Sequence, residues 1–583
     1  MKRCSRLFLL LLMLVLLLVG CKLPTDTPDE ISTTDVSSTT EPAVEGLAIV
    51  TDGGANYRIV RGEEASADFT DVAIRVRQMI SNATDVMPEI ATDWVKKGTD
   101  PDHESLEILV GPTIYFESSE ALEGLGYGDY IITRIGNKIV INARCADAMN
   151  AAYTAFRNLI RDHLRDGDLI LPTDLRITGT GNKRLNQLPY FDHGTLSTLY
   201  NAGGDTDLAI FTETTPDAYS AYLQKLASSG YTLYTENRIT DNFFATYIND
   251  TYVIHAGYYA YEEAVRVTVE PRTALPPREG DNAYEKKTQP NVGQLGCEFP
   301  GIDGTNVSNG QSQILQLSDG SYIVIDGGCL RDIEAQMLYD YMFEYAPDPG
   351  NITIAAWIFT HGHSDHTGGY EAFTKRYASR VKLELLIGNF PDRAVLFDGE
   401  GPSGDRIPAS TAAYPGSKWI QAHVGQVFHL RDAKVEILYT LESYAPRDLT
   451  YYNTSSMVFT VELAGQTFNF LGDASNDACK IVYEMYGTDL KADFIQPAHH
   501  GFSTGSTVHN GVTSVYTASA APVVLWPAGE RAYEITVVKR AYSAHLVNLE
   551  STKEIFVAGS RVIRLMLPYT VGTSGYESIL KQQ

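Results

Sequence analysis

The segment Thr360–Tyr370 reads THGHSDHTGGY and places three histidines and an aspartate within six positions, in a chain with 13 histidines among 583 residues. Neutral imidazoles and a carboxylate suit a borderline divalent metal, Zn2+ first, with Mn2+ or Fe as alternatives. Four ligands so close in sequence, His361, His363, Asp365 and His366, cannot all reach one ion without strain. The loop is therefore expected to serve two adjacent ions. The apolar run ITIAAWIFT before it predicts a buried strand that delivers His361 to a sheet edge. Asp365 and His366 then fall at the entry to a helix, and Gly368-Gly369 let the backbone pass closely.

Three further stretches fit the same chemistry: IVIDGG with Asp326, FLGDAS with Asp473, and PAHHG with His499 and His500. Together with H-x-H-x-D-H-x-G-G they resemble the metallo-β-lactamase superfamily across residues 289–570. The resemblance implies that His361 and His363 hold one ion, Asp365 and His366 the other, and that Asp473 bridges. One of His499 and His500 completes the second set, because neighbours on an extended strand point to opposite faces. The other member is the expected proton donor to a leaving group, with Tyr451 or Tyr452 as weaker choices. Asp365, His499 and His500 are the catalytic candidates.

The family commonly carries another histidine before the Asp473 strand pair. This chain has YYNTSSMVF there, so the first ion is left to water or Asn453. His423 and His429 are expected on surface strands. The HHG pattern resembles the branch found in the extracellular part of DNA-uptake channel proteins, and cell-surface phosphorylcholine esterases are another similar group.

A dinuclear site of this kind implies a metal-dependent hydrolase whose water is activated by the ions. The fold does not choose among β-lactams, thioesters, lactones and phosphodiesters. The HHG pattern favours a phosphodiester or related ester, carried by a small molecule or a cell-surface polymer. The competing readings are a catalytically weak glycan-binding surface protein and a β-lactam or lactone hydrolase. Neither a Ser-His-Asp order nor a P-loop pattern competes for the chemistry.

The elements that must position these residues form an α/β chain. Its C-terminal part is an expected αββα sandwich (289–570), preceded by two smaller α/β or α+β domains. Residues 46–182 alternate strand-like runs (LEILVG, DYIITRIGNKIVINA) with helix-like ones, and resemble the α/β domain that precedes the barrel in hexosaminidases and glucuronidases. Residues 183–275 read as one helix on an antiparallel sheet, with tyrosines that either pack or line a sugar-binding face. Residues 1–20 combine Lys2, Arg3 and Arg6 with the apolar run Leu7–Val19 and describe a secretory signal. Leu18-Val19-Gly20-Cys21 resembles a lipobox, which implies lipidation at Cys21 and anchoring to the outer face of a bacterial membrane. Residues 21–45 are rich in Thr, Ser, Pro and Asp and read as a tether. A net charge of −26 disfavours long nucleic acids.

Overall fold

The structure, a computed structural model, describes residues 46–300, 306–307, 309–329, 332–392, 406–449, 451–502 and 511–579. The signal, the tether and Cys21 lie outside the described residues. From Leu47 onward the chain packs as one compact unit containing several sheets.

The first block builds a six-stranded mixed sheet in the order 176–180, 129–135, 138–143, 107–110, 58–61, 90–92. Helices Ala67–Thr84 and Ala146–His163 bury one stripe each, through Val72, Val76 and Ile80 and through Met149, Ala152 and Phe156. The second block is a six-stranded antiparallel sheet covered by helix Pro216–Ser228. Thr215 caps that helix by accepting from the Ala218 N–H, with Pro216 in its first turn. The two blocks share one core, in which Ile132 and Phe156 meet Phe211 and Val267. Of the tyrosines that could line a sugar-binding face, Tyr219, Tyr222, Tyr231, Tyr258 and Tyr259 are buried and pack, while Tyr234 and Tyr261 are part-exposed.

The C-terminal part consists of two seven-stranded sheets. In chain order the strands are β1 (Asn291–Leu295), β2 (Ser312–Gln316), β3 (Tyr322–Asp326), β4 (Ile352–Ile358), β5 (Val381–Gly388), β6 (Lys418–Gln421), β7 (Val427–Leu430), β8 (Ala433–Tyr439), β9 (Val458–Leu463), β10 (Gln466–Phe470), β11 (Phe494–Gln496), β12 (Val523–Trp526), β13 (Glu554–Val557) and β14 (Val562–Met566). The sheet orders are β6-β5-β4-β3-β2-β1-β14 and β7-β8-β9-β10-β11-β12-β13. Strands β3 to β6 run parallel, as do β10 to β13.

Period-2 alternation divides each strand between two cores. On β3, Ile323 and Ile325 face the second sheet, where they meet Phe459, Phe468 and Phe470. Tyr322 and Val324 face helices α1 (Asp332–Tyr345) and α2 (Ser364–Tyr377), through Leu338 and Phe373. The second sheet packs its other side on α3 (Asn476–Tyr486) and α4 (Gly511–Ser519), through Ile481, Val482 and Val515. The result is the expected αββα sandwich, with additional N-terminal α/β domains.

Two expectations are corrected. The segment 535–549, ITVVKRAYSAHLVNL, reads by sequence as one helix and is not one. It breaks at Ala541 and Ser543, both with positive φ, because the buried Ser543 hydroxyl is drawn away to donate to the Gly501 carbonyl at 2.9 Å. His423 is not on a surface strand. It is fully buried where the second block meets the sandwich, 2.8 Å from Glu442 and 3.5 Å from Glu270. Its ring stacks on His255, whose Nε2–H donates to the Val424 carbonyl at 2.7 Å. Arg266 of the second block donates from Nη1 to the carbonyls of Glu442 and Ala445 at 2.8 and 2.7 Å. Cys145, Cys297, Cys329 and Cys479 form no disulfide with one another.

Candidate metal centre

Four separate segments end at one edge of the sandwich. Strand β4 runs through Phe359 and Thr360 to His361, and His363 precedes the first residue of α2. Asp365 and His366 sit in the first turn of α2, where the helix dipole favours a carboxylate. Beyond β10, Gln496 accepts from the N–H groups of Leu471 and Gly472 at 2.8 Å each and so fixes the backbone just before Asp473. Beyond β11 come His499 and His500.

These last two histidines depart from the expected geometry. Both have left-handed backbone, φ 50° and 51°, in a short turn. A strained turn, not strand alternation, therefore separates their side chains. The His500 Nδ1–H donates to the Pro527 carbonyl at 2.6 Å, which leaves Nε2 facing Asp365 and Asp473 at 3.2 and 3.5 Å. His499 lies 3.8 Å from Asp473 through Nε2, and its side chain is 27% exposed.

The donor atoms fall into two groups that share Asp473. One holds Asp365, His366, Asp473 and His500, the other His361, His363 and Asp473, and within each group one atom per residue lies within 4.8 Å of the rest. His366 Nε2 and Asp473 Oδ1 are 3.1 Å apart but out of hydrogen-bonding alignment, so both are buried without a hydrogen-bond partner. Orphaned buried donors are costly unless something satisfies them. A cation between them does so, and the Asp/His donor set fits two ions.

Opposite charges in the cluster hold one another ionised. Burial alone would raise Asp473, but His366 and His500 hold it well below the usual carboxylate range. Burial alone would lower His366, but Asp473, Asp326 and Asp365 lift it well above the usual imidazole range. Burial and the His366 charge push His361 far down, and burial lowers His499. Asp473, Asp326 and Asp365 thus draw positive charge to the spot where His366 Nε2 points.

Asp326 has a role that its motif did not spell out. Its carboxylate, fully buried at the end of β3, accepts from the Thr360 N–H, the Thr360 hydroxyl and His366 Nδ1, each at 2.8 Å. It fixes the residue before His361 and sets the His366 ring with Nε2 toward Asp473. Spacing could not reveal this, because Asp326 is 40 positions from His366. Close packing makes it possible: a Cβ on Gly369 would lie 1.6 Å from the Gly327 carbonyl oxygen. Tyr452 is buried with its ring 4.8 Å from that of His363, whereas Tyr451 is exposed with its ring 6.3 Å from that of His499.

This is a two-sheet α/β fold with a His/Asp cluster at the strand ends, compatible with a dinuclear metal site. In sequence, residues 307–484 match the profile of the metallo-beta-lactamase superfamily. The C-terminal part of the chain thus carries a domain of that superfamily. The matched span includes His361 to His366 and Asp473 and stops before His499 and His500. Among solved structures, the metallo-beta-lactamase fold protein YhfI from Bacillus subtilis is similar at 14% identity, with 48% of this chain and 100% of that one covered and a TM-score of 0.30. A diphosphatase from the PhnP family is similar at 12% identity, with 48% and 100% covered and a TM-score of 0.28. CmlA, a diiron beta-hydroxylase from Streptomyces venezuelae, is similar at 12% identity, with 49% and 55% covered and a TM-score of 0.31. No curated protein matches the chain in sequence.

Proposed function

We propose that this chain is a surface-anchored metal-dependent hydrolase that acts on a phosphodiester or related ester of a cell-surface polymer or scavenged small molecule. The observation that carries the reading is the convergence of donors from four segments, with buried His366 Nε2 and Asp473 Oδ1 left unpartnered. His361, His363 and Asp473 would hold one ion, and Asp365, His366, His500 and the shared Asp473 the other. When bound, two divalent ions, Zn2+ by donor type, supply Lewis acidity and lower the pKa of a water molecule.

The chain's own residues do the rest. Asp326 and the Pro527 carbonyl take the Nδ1 protons of His366 and His500, so each ring keeps its Nε2 lone pair for ligation. His499, partly exposed and in neither donor group, is placed to hand a proton to a leaving oxygen when its ring is protonated. Tyr451 stands beside it on the open side. Anchoring through Cys21 would keep the site outside the cell, where such esters occur.

The test is metal content by mass spectrometry together with turnover of bis-p-nitrophenyl phosphate, lactones and nitrocefin. His363→Ala and Asp473→Ala are expected to lower turnover about 100-fold or more, since a nucleophile at neutral pH depends on the ions. Undiminished turnover in both variants overturns the reading.

A further inference from the structure

The two donor groups are unequal: one gathers four residues, the other only His361, His363 and Asp473. Beside the smaller group lies the turn Tyr452–Ser455. Its Tyr452 ring packs on His363 at 4.8 Å and on His361 at 6.0 Å. Just after the turn, the Met457 N–H donates to the carbonyl of Thr360, the residue before His361. Asn453 in this turn is 1% exposed. Its Nδ2 donates to the Tyr451 hydroxyl at 3.0 Å, while its Oδ1 is buried without a hydrogen-bond partner. A buried amide oxygen with nothing to accept from is as costly as the orphaned atoms of the metal centre itself.

We infer that Asn453 Oδ1 is the missing protein donor of the smaller half-site, an inference that rests on the dinuclear reading above. A neutral amide oxygen is a harder and weaker ligand than an imidazole. The two half-sites therefore fill in sequence, the four-donor group first, and the His361/His363 half-site stays the exchangeable one. The same oxygen shifts that half-site's preference away from Zn2+ and toward Mn2+.

The experiment titrates the metal-stripped full chain with Zn2+ and with Co2+, following bound metal by mass spectrometry and Co2+ by its visible absorption. Melting curves check the fold of each variant. The wild type is expected to show two classes of ion. Asn453→Ala should weaken the second class about tenfold or more, since the loss of mere outer-shell partners already costs about 10- to 100-fold. Asn453→His should tighten it beyond the wild type and alter the Co2+ spectrum, and Tyr451→Phe, which removes only the acceptor of the Asn453 Nδ2–H, should weaken it less than Asn453→Ala. If Asn453→Ala and Asn453→His both titrate like the wild type, the inference falls. If His363→Ala also keeps both ions, the assignment of the second ion to His361, His363 and Asp473 falls with it.

Discussion

Replacing Asp326 by asparagine keeps the size of the side chain and removes one acceptor from a carboxylate that uses both of its oxygens. Oδ1 accepts from the Thr360 N–H, and Oδ2 accepts from the Thr360 hydroxyl and His366 Nδ1. An asparagine can turn either way. With its NH2 at the Oδ1 position, it faces the Thr360 N–H donor to donor and leaves a buried backbone group unpaired. With its NH2 at the Oδ2 position, it forces His366 to accept at Nδ1, which moves the ring proton to Nε2, where a ligand needs a lone pair. The first outcome costs about 1–3 kcal/mol of stability. The second costs about 10- to 100-fold in metal affinity, or roughly 1.4–2.8 kcal/mol. The two penalties are of similar size, so the variant should divide its loss between them. Urea unfolding of the metal-stripped protein reads the first, and competition with a chelator for Zn2+ reads the second. An Asp326→Asn variant within twofold of wild-type affinity and with an unchanged unfolding midpoint would refute the orienting role of Asp326.

Two further outcomes are expected. At the buried contact between the second block and the sandwich, burial opposes charge on His423, but Glu442 and Glu270 outweigh it and lift the imidazole from 6.5 to about 10. Its contribution to stability is therefore full below about pH 6.5 and fades as pH rises toward 10. Burial, reinforced by the His423 charge, pushes His255 down to about 3, so its contribution is full above about pH 6.5 and fades as pH falls toward 3. The two together peak near pH 6.5. The gap in urea midpoint between the wild type and His423→Gln should shrink steadily from pH 6.5 to 10, and a constant gap would contradict the charge assignment. Gly369→Ala should destabilise the chain by about 3 kcal/mol or more, since its Cβ would meet backbone that has no room to yield. Gly575→Ala, whose Cβ meets nothing within 4 Å, is the neutral control in the same melts.

Much of the sandwich was legible because its signals are local. The run from Ile352 to Thr360 is apolar enough to read as a buried strand. The metal loop was legible because four ligands happen to fall within six residues. Long-range partners left no such mark. His423 looks like any strand histidine until Glu442 and Glu270 arrive from elsewhere in the chain. Ser543 reads as helix interior until its hydroxyl finds the Gly501 carbonyl. The tyrosines of the second block could face inward or outward by composition alone, and only the packing of helix Pro216–Ser228 on its sheet buried Tyr219, Tyr222 and Tyr258.

Residue chemistry and spacing alone brought His361, His363, Asp365 and His366 together at one strand end, because ligand type and strand periodicity are properties of short segments. Asp473 and His499/His500 joined them only through the family resemblance. Tertiary structure alone decided that Asp326 orients His366, and that His500 turns its Nε2 inward while His499 stays at the opening. It also buried Asn453 Oδ1 without a hydrogen-bond partner, in the turn whose Tyr452 ring packs on His363. Each of these depends on which carbonyl, carboxylate or ring a distant segment brings within hydrogen-bonding reach, and that is fixed only when the sheets pack.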